Sequence, residues 1–280
     1  MLHPITYSGM LDSTKTHPAV AAEAAIAPLL PCCSNDGSWS GNGPVHMAKL
    51  KVFCARSMTH AVTEITDRFM RDTGHEVDIT FGPVGTLQKK LAAGESADVL
   101  VLGQPAMAKM EREGCFVAGT RTDVARVSIG VAVREGAPVP DISTAEAFAT
   151  ALRAARGIAF TDASVGGTAA VYLPQMFKRM GIAEEVNRKA MPQQSGAAVA
   201  EQVASGEAEL GITLIPELRP IKGVRMIGRL PAALADDTIY TAAVSAGSQA
   251  PSAETAFVAA LAHQATRETW RAAGFERADG

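Results

Sequence analysis

Four short stretches of this 280-residue chain place a hydroxyl where a loop turns into a helix: ARSMTH at Ser57, GPVGTL at Thr86, SVGGTA with Gly167 before Thr168, and QQSGAA at Ser195. A helix start carries unpaired N–H groups and about half a positive charge, which suits an anion. Glycine nearby lets a ligand approach the backbone. Capping alone would explain any one of the four, so the inference rests on their number. Four converging ends supply roughly +2 of partial charge, enough for a dianion and thin for a trianion. A more highly charged ligand would want a true cation, and Arg56, immediately before Ser57, is the candidate; its alternative is a surface arginine paired to a carboxylate such as Glu64. Lys89 and Lys90 read as a solvated helix face. Arg126 reads equally as a structural partner of Asp123 or of a neighbouring carboxylate.

Other chemistries find no pattern. GPVGTLQK lacks the glycine spacing and the Lys-Ser or Lys-Thr of a phosphate-binding P-loop, and neither GxGxxG nor GxSxG falls at a strand-to-helix turn. The six histidines show no metal-ligand spacing and the four cysteines form no CxxC pair. No metal and no cofactor are expected, and the cysteines read as free, buried thiols. His60 alone among the histidines falls near the loop cluster. A net charge of −3 without blocks gives no footprint for nucleic acid. No apolar run approaches the ~18 residues that would span a membrane. The expected partner is a small anionic ligand.

The elements that must position these loops alternate. LKVFCA reads as a strand and MTHAVTEITDRFMRDTG as a helix with Ala61, Ile65 and Phe69 on one face, stopped by Gly74. EVDITFG, TLQKKLAAG, ADVLVLG and PAMAKMEREG repeat the pattern, with Pro105 suited to a first helical turn. ARVSIGVAVR, STAEAFATALRAA with a capping box at Ser143 and Glu146, GIAFTD, a helix over 168–180, SGAAVAEQVASG, LGITLI, VRMIG, TIYTAAVSA and two closing helices complete the chain. Such alternation predicts an α/β architecture with largely parallel sheet. Pro174 must either start a shortened helix or kink a longer one. Residues 1–46 carry one Lys or Arg, Lys15, and their best apolar segment is broken by Glu23, Pro28 and Pro31. They read as a disordered extension rather than an export signal, with Met47 opening the folded part.

In order and content, LKVFCARSMTHAVTEI, ITFGPVGTLQKKLAAGESADVLVLG, ARVSIGVAVREGAPVPDISTAEAFATAL, GIAFTDASVGGTAAVY and VASGEAELGIT resemble the substrate-binding proteins of ABC importers, in the molybdate-binding-protein-like branch. The resemblance runs from about residue 49 to residue 276 and implies a type II periplasmic binding fold, two α/β lobes closing on a ligand. One lobe would take 47–127 plus 244–280 and the other 128–243, with ARVSIGVAVR and TIYTAAVSA as the crossing strands. The family's oxyanion contacts carry over to Ser57, to Val84 and Gly85, to Thr168 and Ala169, and to Ser195 and Gly196. Two positions depart from the molybdate pattern: Pro83 and Val84 replace a serine-rich loop, and Leu214 stands where a tyrosine is expected. Each lost donor removes a charge-assisted hydrogen bond of about 1.5–3 kcal/mol, so a small di- or tricarboxylate fits better than molybdate.

The resemblance implies a binding protein without chemistry, working with an ABC importer permease and therefore periplasmic. The chain as it reads, without a convincing signal peptide, would instead be cytoplasmic. The alternative is an enzyme, because aconitate isomerases resemble the same branch and move a proton along an allylic system. On that alternative His60 is the proton shuttle. A ligand-sensing module with a separate DNA-binding partner is the third reading, and no helix-turn-helix precedes Met47.

Overall fold

The computed structural model describes residues 47–278; the expectations for residues 1–46 lie outside them. The first sheet opens with β1 (Lys49–Ala55), α1 (Thr59–Thr73), β2 (Glu76–Gly82), α2 (Val84–Ala92), β3 (Val99–Gly103), α3 (Gln104–Arg112) and β4 (Thr122–Val127). The second contains β5 (Ile129–Arg134), α4 (Ala145–Ala154), β6 (Ile158–Thr161), α5 (Thr168–Arg179), α6 (Ala183–Asn187), β7 (Ala190–Gln193), α7 (Gly196–Ser205), β8 (Leu210–Leu214), α8 (Ile215–Leu218) and β9 (Val224–Arg229). The chain then returns to the first sheet through β10 (Thr238–Val244) and ends in α9 (Pro251–Ala262) and α10 (Arg267–Ala272).

Strand orders are β2-β1-β3-β10-β4 and β7-β6-β8-β5-β9. β10 is antiparallel to both its neighbours, and so is β5. The other four strands of each sheet therefore share one direction, and the two sheets have the same topology. β3 and β8 are buried at every residue, which is why VLVLG and LGITL read as continuous apolar runs rather than alternating ones. α1 packs Ala61, Val62, Ile65 and Phe69 inward, and Gly74 ends it at φ 74°. There a Cβ would be strained. Pro105 falls in the first turn of α3 as expected.

Several details differ from the sequence-based expectations. β7 escapes the pattern because it is short, sits at a sheet edge and carries Pro192, which an edge strand tolerates. Helix α4 is capped by Thr144, whose hydroxyl accepts from the Ala147 N–H at 3.1 Å, rather than by Ser143. Pro174 lies inside the full-length α5. The TIYTAAVSA segment belongs wholly to the first sheet, so the second crossing precedes Thr238 instead of falling at residue 243. The first crossing is a single residue, Ser128, between β4 and β5. Its hydroxyl donates to Asp237 Oδ1 at 2.6 Å, which ties the two crossings together. The tail adds a brace. Glu276 exchanges backbone hydrogen bonds with Arg126 of β4 and forms an ion pair with Arg229 at the end of β9.

Close packing sets the limits on sequence inside each sheet-helix layer. A β-carbon on Gly211 of β8 would stand 2.5 Å from Val203 Cγ2 of α7. Gly211→Ala should therefore cost about 1–3 kcal/mol by overpacking, and pairing it with Val203→Ala should cost less than the sum of the two singles because the new methyl fills the space vacated. Urea denaturation of the four proteins in the cycle checks both statements.

Candidate functional site

Loops that leave the carboxyl ends of parallel strands gather at one edge of a sheet, and here the two edges face each other. Between them lies a cleft with about 470 Å³ of free space, including the part open to solvent. The end of β1 contributes Arg56 and Ser57, the end of β2 Pro83 and Val84, and the start of α5 Gly167, Thr168 and Ala169. β7 leads to Ser195 and Gly196, β8 to Leu214 and Glu217, and β10 sends in Tyr240.

Eight of the residues singled out by sequence thus line one cleft, and three do not. Gly85 sits at the rim, where a β-carbon would come within 3.9 Å of the Val165 carbonyl across the cleft. Thr86 is exposed, with its N–H bonded to the Pro83 carbonyl at 3.0 Å. His60 is exposed on α1 and absent from the cleft wall. The proton-shuttle role expected of His60 has no geometry behind it. Lys90 pairs with Glu95 at 2.9 Å, and Arg126 donates to the Ala278 carbonyl rather than to Asp123. The Arg56 guanidinium has no carboxylate within ion-pair distance among the described residues, since Glu64 is instead engaged by the Thr269 hydroxyl.

The four hydroxyls are not equivalent. Ser195 is a true cap, accepting from the Ala198 N–H at 3.1 Å. α2 and α5 start at Val84 and Thr168 with no side-chain cap, so their first amides remain for other acceptors. Ser57 lies in a 3₁₀ turn, and its hydroxyl meets that of Tyr240 at 2.7 Å. Burial holds the Tyr240 phenol above its usual range, and hydrogen bonding from Ser57 and Thr168 opposes that shift. One hydroxyl from the returning strand therefore holds the first-sheet loop.

Glu217 is the functional candidate that sequence reasoning missed. Pro216 lies in the first turn of the four-residue α8 directly after β8, and Glu217 turns back so that Oε2 accepts from the Thr213 hydroxyl at 2.7 Å. The carboxylate fills the space over Gly196, where a β-carbon would lie 2.0 Å from Oε2. Desolvation raises the Glu217 carboxyl above its ordinary value of 4.5, opposed in turn by the Thr213 hydroxyl, the Gly196 amide, the Arg56 charge and the Leu214 amide. The α7 start thus already faces the Glu217 carboxyl. Arg56 and the starts of α2 and α5 remain for an incoming anion, at about +2 in total.

The fold and site define a two-lobed ligand-binding protein of the type II periplasmic class. A family profile described as bacterial extracellular solute-binding protein matches residues 50–276, and the chain belongs to that family. It is 32% identical over 221 residues to an aconitate isomerase of Pseudomonas sp, covering 76% of this chain and 82% of that protein. It is 28% identical over 174 residues to the molybdate-binding protein ModA of Azotobacter vinelandii, covering 61% and 66%. The structure of the sulfate-binding protein SubI from Mycobacterium tuberculosis H37Rv superposes with a TM-score of 0.68 at 17% identity over 83% of this chain and 88% of that one. No helix among the described residues is long and apolar enough to cross a membrane.

The raised carboxyl of Glu217 fixes the sign of a pH effect. A carboxyl whose folded value is raised contributes stability fully present below its unfolded value, about 4.5, and lost as pH rises through the folded value. Glu217→Gln removes that loss. Its stability relative to the parent should grow as pH rises from about 4.5, with Arg56 and Tyr240 the other titratable groups facing the site. Gly196→Ala, which would push the carboxylate out toward water, should flatten the dependence in the same direction. Denaturant titrations across that range test this, and a constant difference would count against desolvation as the dominant influence.

Proposed function

We propose that the cleft binds a small di- or tricarboxylate and that the protein acts on it as an aconitate isomerase-like enzyme, interconverting cis and trans isomers by an allylic proton shift. The supporting observation is the composition of the cleft wall. Molybdate and sulfate are compact acceptors that need donors on every side. Here Val84 and Leu214 present hydrocarbon, and the Ser57 hydroxyl is shared with Tyr240. A ligand with a carbon frame uses such a wall: Arg56 and the starts of α2 and α5 would hold its carboxylates, and Val84 and Leu214 its backbone. The likeness to an aconitate isomerase supports the choice of substrate.

The second reading is a carboxylate receptor for an ABC importer permease in the periplasm. Membership of an extracellular solute-binding family favours it. Both readings predict the same ligand class and differ in whether the ligand is changed.

Thermal denaturation with cis-aconitate, trans-aconitate, citrate, molybdate and sulfate should give the largest stabilisation with a carboxylate. A response to molybdate alone would overturn the ligand assignment. Proton NMR of cis-aconitate with the protein should reveal the trans isomer, and binding without conversion would leave the receptor. Arg56→Ala should weaken carboxylate binding by about 1.5–3 kcal/mol, the scale of a hydrogen bond to a charged group, as read by calorimetry.

A further inference from the structure

Resting on the isomerase reading, we infer that Glu217 is the catalytic residue that carries the proton between the two carbons of the allylic system. Among the described residues that line the cleft it is the only carboxylate, and no histidine, lysine or cysteine lines it. Its oxygens are placed rather than free. Thr213 holds Oε2 from its own element, and the backbone of Gly196 leaves room for the carboxylate because that residue has no side chain. α8 also packs against the turn that carries Arg56, so the base and the cation approach the ligand from opposite lobes.

The step balances within the ligand and this one side chain. The Glu217 carboxylate takes a proton from the saturated carbon beside the double bond, and that C–H bond breaks. Its electron pair becomes the new C=C. The electrons of the old double bond move into the carboxylate conjugated with it, giving an extended enolate whose charge Arg56 and the helix starts are placed to offset. The carboxyl O–H then returns the proton to the former vinylic carbon, a C–H bond forms there, and Glu217 is ionised again. No oxidant, reductant or second substrate enters. Tyr240, held neutral by burial, and Ser57 share a hydrogen bond and take no part in the proton transfer.

A carboxylate seated in this way has to be ionised to accept a proton, and burial moves that requirement upward from the ordinary range. The acidic limb of kcat/KM should therefore fall above the ordinary carboxylate range and should follow the residue at 217.

The deciding experiment uses the full chain with cis-aconitate in D2O. Proton NMR follows conversion and deuterium entry at carbon, and calorimetry follows binding. Wild type should convert. Glu217→Gln should lose about 10²–10⁴-fold in kcat, the range for general acid–base groups, while binding cis-aconitate within about three-fold. Glu217→Asp should recover part of the activity with a displaced acidic limb, which a merely structural role would not produce. A Glu217→Gln protein within about ten-fold of wild type would overturn this assignment and leave the isomerase reading standing. Loss of binding together with turnover would make Glu217 a ligand-holding group and overturn it as well. If wild type leaves cis-aconitate unchanged and free of deuterium, the isomerase reading itself fails and this inference with it.

Discussion

Four strands in each sheet run one way and one runs against them, and the cleft follows from that constraint. Parallel strands deliver their loops to a common edge, so residues as far apart in sequence as Arg56, Val84, Thr168, Ser195 and Glu217 meet in one wall. The exceptions to the direction are β5 and β10, which enter their sheets straight from the crossings. Because they come in backward, the crossings lie at the cleft rather than behind it. Tyr240 uses this placement, reaching from the returning strand to Ser57.

Within the cleft, the electrostatic arrangement is a compromise between binding an anion and keeping a carboxylate beside it. An unpaired buried carboxylate would simply take up a proton. Glu217 avoids a larger penalty through the Thr213 hydroxyl and the Gly196 amide, with Arg56 near enough to favour the ionised form. The same arrangement withdraws α7 from service as a ligand seat.

Much of this was legible in the sequence, and the gaps have physical causes. Regular alternation revealed β1 and β3 with their following helices, and β8 as a strand, and the glycine and hydroxyl pattern revealed the loops that line the cleft. Local chemistry cannot say which way a first-turn side chain points. His60 and Thr86 therefore belong to the right loops and the wrong faces. Glu217 was hidden because it sits in a four-residue helix with no motif, and its partner Gly196 is close only in space. The available signal was an acidic residue three positions after an unbroken apolar strand, at the carboxyl end where ligands bind. Tyr240 was hidden by the same limit: a buried aromatic in a strand reads as core until the strand's place in the sheet is known.

The hydrogen bond from Ser128 to Asp237 has a mechanical meaning. It couples two linkers that could otherwise twist separately, and one of those linkers is a single residue long. The two linkers are thus held side by side where they pass between the sheets. At the far rim Gly85 and Gly166 face each other without side chains, a β-carbon on Gly166 standing 3.7 Å from Gly85 Cα. With no side chain at either position, backbone alone sets the spacing there, so the cleft is bounded by the Ser128–Asp237 bond at the crossings and by two bare backbones at the rim.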